Sequence, residues 1–131
     1  MVKNLLTLTT VIELGAGLAL LCFPSATVAI LLASSLDTPA ALTVGRVAGA
    51  ALIALGIACW LARHDGQSAA TGLVAAMLLY NLGAVVILAS AGIGSGLAGV
   101  ALWPAVVLHA AMAVWCIACI RSKRVNVGNE K

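Results

Sequence analysis

Four long apolar stretches limit what this chain can fold into more than any other feature. We place them at about residues 5–23, 40–62, 69–91 and 98–120. Each is close to the ~20 residues that an α-helix needs to cross about 30 Å of hydrocarbon. Because an unpaired strand would leave its backbone polar groups without partners in lipid, each stretch is predicted to be a helix.

The composition supports a membrane location for the whole chain. Of its 131 residues, 63% are hydrophobic and only 8% are charged, against about 45–50% and 25% in soluble domains. A water-soluble domain of this size has too much surface to cover with so few charges. The composition excludes a soluble enzyme, a disordered chain and a nucleic-acid-binding module. We therefore predict one all-α domain over residues 1–131, an integral membrane four-helix bundle.

The stretch between the first and second spans has two interpretations. Residues 25–36 are apolar but too short to cross a bilayer, and they follow Pro24. We expect a short helix or loop at the membrane interface, and the alternative is one long first helix with a kink. The first span itself is predicted to be retained rather than cleaved as a signal peptide, because Glu13 interrupts it and no cleavage motif follows.

The basic residues predict the orientation of the bundle. In a four-span arrangement one side carries Lys3, Arg63, Arg121, Lys123, Arg124 and Lys131. The other side carries Asp37 and no cation outside the spans. The positive-inside rule then places both termini in the cytoplasm and the chain in the cell inner membrane, with residues 121–131 as a short polar tail.

Small residues are predicted to bring the helices together. Gly45, Gly49 and Gly56 lie on one stripe of the second span. Because lipid supplies no hydrophobic drive between helices, close approach at such stripes contributes much of the packing. The stripe is expected to pack within the bundle, and the alternative is a seam between two copies of the chain.

Polar residues inside the spans are the first candidate site. At 1.5 Å per residue, Glu13 lies roughly 12 Å from the cytoplasmic face, Tyr80 and His109 roughly 16 Å, and Asn81 roughly 18 Å. Arg46 lies roughly 9 Å from the opposite face. Charges in hydrocarbon are costly, so these residues are expected to face the interior and to meet. They form either a hydrogen-bonded structural network or a path for protons or substrate.

Soft metal ligands form a second candidate site. His109, Met112, Cys116 and Cys119 share one face of the fourth span, and Cys59 lies at a similar depth on the second. Such a set suits copper(I), although cysteine and methionine are also ordinary apolar residues in membrane helices. The Cys116–Cys119 spacing is also that of a thiol-redox pair. We reject that interpretation because no second cysteine pair is present and the predicted compartment is reducing.

A short pattern resembles a known family. Pro24 follows the first span, Gly45-Arg46-Val47-Ala48-Gly49 opens the second, and Gly56 and Ala62-Arg63 close it. This pattern is similar to small bacterial four-helix membrane proteins of the DoxX-like kind and to related families of unassigned function. The resemblance covers the first half of the chain. It implies a role as an accessory subunit of a membrane oxidoreductase, and no catalytic residue follows from it.

The sequence thus predicts a non-enzymatic membrane protein without a cofactor. Its partners are the lipid bilayer and either another membrane protein or a second copy of the chain, and it binds no nucleic acid. The expected role is that of an accessory or structural component. Two alternatives are a small proton-coupled transporter or exporter that uses Glu13 and a copper-binding membrane protein. The small multidrug exporters also carry a glutamate in helix one, but this chain lacks their aromatic residues.

Overall fold

The structure, a computed structural model, is mostly α-helical in the part of the chain that it describes. It describes the backbone of residues 1–64 and 67–128 and the side chains of residues 1–64 and 69–122. Within those ranges there are five α-helices and no strand: α1 (Val2–Cys22), α2 (Pro24–Leu32), α3 (Pro39–Ala62), α4 (Gln67–Gly94) and α5 (Leu102–Gly128). Four segments are long and apolar enough to cross a membrane, namely Val2–Cys22, Pro39–Ala62, Ala69–Gly94 and Leu102–Ser122. The predicted all-α, four-span architecture of a multi-pass membrane protein is confirmed.

Helix α2 is a separate short helix. The helical path is broken at Phe23, whose φ of −132° and ψ of 57° lie outside the helical region, and Pro24 then occupies the first position of α2. The prediction of a short helix is confirmed, and the alternative of one kinked helix is wrong. The backbone N–H of Leu36 donates to Ser25 Oγ at 3.2 Å, which ties the loop after α2 back to its first turn.

The later helices differ from the prediction at their ends. The third span continues to Gly94 and the fourth begins at Leu102. Gly96, with a φ of +65°, lies just after α4 in a conformation that cannot continue the helix. Residues 121–128, predicted as part of a polar tail, continue α5 instead. Asn129, Glu130 and Lys131 lie outside the described residues, as do the side chains of Lys123 and Arg124.

Helices α1 and α3 form a closely packed pair. A Cβ atom added at Gly17 would lie 2.7 Å from the Gly49 carbonyl oxygen, and one added at Gly49 would lie 2.7 Å from the Gly17 carbonyl oxygen. Thr10 Oγ1 also donates across the pair to the Gly56 carbonyl oxygen at 3.1 Å. The glycine stripe of α3 therefore packs inside the molecule, as predicted. The alternative of a seam between two copies is wrong, since Gly45, Gly49 and Gly56 are buried.

Helices α4 and α5 form the second pair, and the two pairs meet mainly at one end of the molecule. We call the half that contains this contact the terminus half, because α1 begins there. Its apolar core consists of Leu5, Leu6, Cys59, Ala62, Val74, Met77, Met112, Cys116 and Cys119. Arg63 lies in the same half, where its guanidinium stacks 3.0 Å from the centroid of the Trp60 ring and donates to Thr7 Oγ1 at 3.4 Å.

The opposite half, which we call the α2 half, is closed at its end by α2. The backbone N–H of Ala101 donates to the Ile30 carbonyl oxygen at 3.1 Å, so the start of α5 is joined to the end of α2. Gly99 lies so close to the Leu31 backbone that any side chain there would overlap it. Helix α2 thereby connects the two helix pairs over the space between them.

Candidate functional site

Four of the five predicted polar residues meet between the helix pairs. Glu13 projects from α1, Tyr80 and Asn81 from α4, and His109 from α5. They lie where the terminus half meets the α2 half, and we call them the polar layer. Glu13 and Asn81 are almost completely buried, at 3% and 2% exposure. The structure thus brings together side chains that are separated by 96 positions in the sequence (13 to 109).

Asn81 and His109 share a short hydrogen bond across the α4–α5 pair. His109 Nδ1 lies 2.8 Å from Asn81 Oδ1. Asn81 Nδ2 donates to the Met77 carbonyl oxygen at 2.7 Å, in the preceding turn of α4. Because a carbonyl oxygen can only accept, this second bond fixes which end of the Asn81 amide faces His109.

Tyr80 links α4 to α1 and to α5. Its hydroxyl donates to Glu13 Oε2 at 3.4 Å. Its ring meets the His109 ring edge to face, with centroids 5.6 Å apart and an interplanar angle of 80°. Edge-to-face contacts of this kind are favourable between aromatic rings. Tyr80 therefore fixes the position of the Glu13 carboxyl group relative to the imidazole.

Arg46 does not join the polar layer. Its side chain is exposed on α3, next to the buried Gly45. This differs from the expectation that Arg46 faces the interior and reaches Glu13. The reason is that the glycine stripe occupies the face of α3 that packs on α1, and a residue beside that stripe points outward. Among the described residues, Glu13 has no cation within ion-pair distance.

A large cavity begins at the polar layer and fills the α2 half between the helix pairs. Its volume is about 720 Å³, and Glu13, Tyr80 and His109 line it at the end nearest the terminus half. The remaining wall is almost entirely apolar: Ile12, Ala16, Ala19, Leu20, Thr27, Val28, Ile30, Leu31, Leu52, Leu79, Gly83, Ala84, Ile87, Leu88, Ala101, Ala105 and Leu108. Every helix contributes to this wall, and the cavity is partly open at the protein surface.

On its other side the polar layer borders a much smaller void. This void has a volume of about 10 Å³ and is lined by Thr9, Glu13, Asn81 and His109 together with apolar side chains. Thr9 Oγ1 is buried without a hydrogen-bond partner in the described part of the chain. A void of this size admits one water molecule, which would give Thr9 its partner. Beyond it the terminus half is filled by the apolar core.

The predicted metal ligands are divided between two places. Cys59, Cys116 and Cys119 are buried in the core of the terminus half together with Met112. His109 is instead held by Asn81 in the polar layer. Within the described ranges, no three His, Cys, Asp or Glu side chains are close enough together to hold a metal ion. The three thiols pack against the apolar side chains of this core.

Sequence reasoning found the polar layer and missed the cavity. The cavity arises because small residues line it from three sides: Ala16 and Ala19 on α1, Gly83 and Ala84 on α4, and Ala101 and Ala105 just before and within the first turn of α5. Their spacing is visible in the sequence, but small residues usually indicate close helix packing. The glycines of α1 and α3 make such a contact, whereas a Cβ added at Gly83 would meet nothing within 4 Å.

Comparisons with protein-family models, with curated proteins and with solved structures find no match to this chain. The resemblance to DoxX-like proteins stays a prediction.

Proposed function

We propose that this membrane protein binds a lipophilic molecule with a polar head group in the cavity between its helix pairs. The observation that supports the proposal is the cavity itself. Its volume of about 720 Å³ lies within the range of roughly 300–1,000 Å³ typical of small-molecule sites. An apolar wall with a few polar groups at one end is also the usual composition of such sites.

The polar layer gives the bound molecule a defined direction. An apolar body contacts the alanine, leucine and isoleucine side chains of the α2 half. The head group then lies against Glu13, Tyr80 and His109, where it replaces hydrogen bonds that it would otherwise make with water or lipid head groups. The role proposed is binding, without catalysis.

The cavity supports binding more strongly than proton-coupled transport. A transported molecule has to enter or leave on the cytoplasmic side, which the charge distribution assigns to the terminus half. In the described structure that half contains the apolar core and a void of only about 10 Å³. Transport through Glu13 and copper binding by the cysteines remain alternatives that no contact in the described residues favours.

Native mass spectrometry of the purified protein with dodecanol tests the proposal. We expect the wild type to retain the alcohol and Gly83→Phe to lose it, because the new ring fills the cavity from a position where a Cβ meets nothing within 4 Å. Gly72→Phe is the matched control, since Gly72 lies on the same helix, is exposed and does not line the cavity. Equal retention by both variants, or none by the wild type, would contradict the proposal.

A second proposed role, as an accessory component of a membrane complex, rests on Arg46. An exposed arginine within a span is costly in lipid unless it reaches the interface or meets a counter-charge. A partner helix with a carboxylate at the depth of Arg46 would supply that charge. Gentle extraction followed by mass analysis should then recover a stoichiometric complex from the wild type and from Arg46→Lys, and none from Arg46→Gln. Identical recovery from all three would reject this role.

A further inference from the structure

We infer that the head group bound at the polar layer is an ammonium group, so that the ligand class is a lipophilic amine. The inference rests on the proposed function, because it names the chemistry of the molecule that occupies the same cavity. It follows from which hydrogen-bonding groups of the polar layer are already used and which remain for a ligand.

The first step is the orientation of Asn81. Its Nδ2 donates to the Met77 carbonyl oxygen at 2.7 Å, so its Oδ1 is the atom that faces His109 Nδ1 at 2.8 Å. An amide oxygen can only accept, and His109 Nδ1 must therefore carry the proton and donate it. In a neutral imidazole the other nitrogen, Nε2, then has the lone pair and accepts.

The second step concerns the donors of Tyr80 and Asn81. The Tyr80 hydroxyl donates to Glu13 Oε2. Asn81 Nδ2 donates one of its two N–H groups to Met77 within α4, and Asn81 does not line the cavity. With these donors used or outside the cavity, an ionised Glu13 offers a ligand its carboxylate oxygens and His109 offers the lone pair of Nε2. A head group that donates hydrogen bonds fits this set, and one that only accepts does not.

The third step is charge. The only carboxyl group that lines the cavity is Glu13, and the described residues place no cation within ion-pair distance of it. Arg46, the one arginine within a predicted span, is exposed elsewhere on α3. An ammonium group would supply the missing counter-charge in a region of low dielectric, where charge-assisted hydrogen bonds are strong. A carboxylate head group would be repelled by Glu13.

A competition experiment distinguishes the head groups at constant chain length. The purified protein is incubated with equal concentrations of dodecylamine, dodecanol and dodecanoic acid, and native mass spectrometry reports which adducts it retains. We expect the wild type to retain the amine about tenfold more than the alcohol and to exclude the acid. Glu13→Gln should retain the amine and the alcohol equally, because the glutamine is similar in size but uncharged. Arg46→Gln, a control outside the cavity, should keep the wild-type preference.

The outcomes separate this inference from the proposed function. If the wild type retains all three molecules equally, or prefers the acid, the assignment of an ammonium head group is wrong, while the proposal of binding in the cavity stands. If the wild type retains none of them, the proposed function itself is wrong. The preference of the wild type decides between these outcomes even if Glu13→Gln fails to fold.

Discussion

At the scale of single residues, the hydrogen bond between Asn81 and His109 is the shortest one between side chains of the polar layer. The two atoms lie 2.8 Å apart, and Asn81 is 2% exposed. Removing either side chain leaves a buried polar group of the other without its partner. Measured couplings of this kind in membrane helices average about 0.6 kcal/mol and reach about 1.7 kcal/mol.

We predict that a double-mutant cycle of Asn81→Ala and His109→Ala gives a stabilising coupling of about 0.6–1.7 kcal/mol. The measurement is the free energy of reversible unfolding in mixed micelles for the wild type, both single variants and the double variant. A cycle of Asn81→Ala with Thr43→Ala is the control, because Thr43 is exposed on α3 and bonds to its own helix through the Pro39 carbonyl oxygen. Additive effects in the Asn81–His109 cycle would contradict the structure.

For Glu13 and Arg46 we predict no such coupling. Because Arg46 is exposed on α3 and Glu13 is bonded to Tyr80, the effects of Glu13→Gln and Arg46→Gln on unfolding should add to within about 0.5 kcal/mol. The same mixed-micelle unfolding measurement tests this. Recovery of stability in the double variant would show that the two side chains form an ion pair.

At the scale of elements, the α1–α3 pair depends on two glycines that allow the backbones to touch. Gly17 and Gly49 each lie where a Cβ would meet the carbonyl oxygen of the other at 2.7 Å. A backbone oxygen cannot move aside as the end of a flexible side chain can. The helices would have to separate to admit a methyl group, and the contacts along the pair would weaken.

We predict that Gly17→Ala lowers the free energy of unfolding by about 1–3 kcal/mol. Gly15→Ala is the matched control, because a Cβ at Gly15 meets nothing within 4 Å on the same helix. The control should be neutral or more stable, since alanine favours a helix over glycine by about 0.5–1 kcal/mol. Equal effects of the two substitutions would contradict the close packing of α1 on α3.

The elements were more predictable than their arrangement. The hydropathy of the sequence predicted the four spans, and Pro24 predicted the short helix that follows the first. Both features affect the backbone locally, so their effect can be read from the sequence alone. The depth of Glu13, Tyr80, Asn81 and His109 predicted that they would meet. The face on which Arg46 lies was not predictable, since it depends on α3 using its glycine stripe to pack on α1. The cavity was also not predictable, because alanines and glycines usually indicate close helix packing.

At the scale of the whole molecule, the two halves of the bundle differ in packing. The terminus half contains the apolar core and the stacked Arg63, and the α2 half contains the partly open cavity. Lys3 and Arg63 belong to the terminus half, while Asp37 lies in the loop between α2 and α3. The distribution of charge predicts that the terminus half faces the cytoplasm.

Reporter fusions test that orientation. We predict a cytoplasmic signal from a reporter placed after Lys131 and an outside signal from one placed within residues 92–96. The physical reason is that cations near the ends of the spans are retained on the cytoplasmic side. The reversed pattern would place the cavity in the cytoplasmic leaflet instead of the outer one.

The central claim is that the cavity between the helix pairs holds a lipophilic molecule with its head group at the polar layer. The most direct test is photolabelling in lipid nanodiscs with dodecylamine that carries a diazirine beside the nitrogen, followed by identification of the labelled peptides. We predict labelling near Glu13, Tyr80 and His109 that excess dodecylamine suppresses and that Gly83→Phe abolishes. Labelling confined to exposed lipid-facing positions such as Val44 or Ile93, and unaffected by the competitor, would contradict the claim.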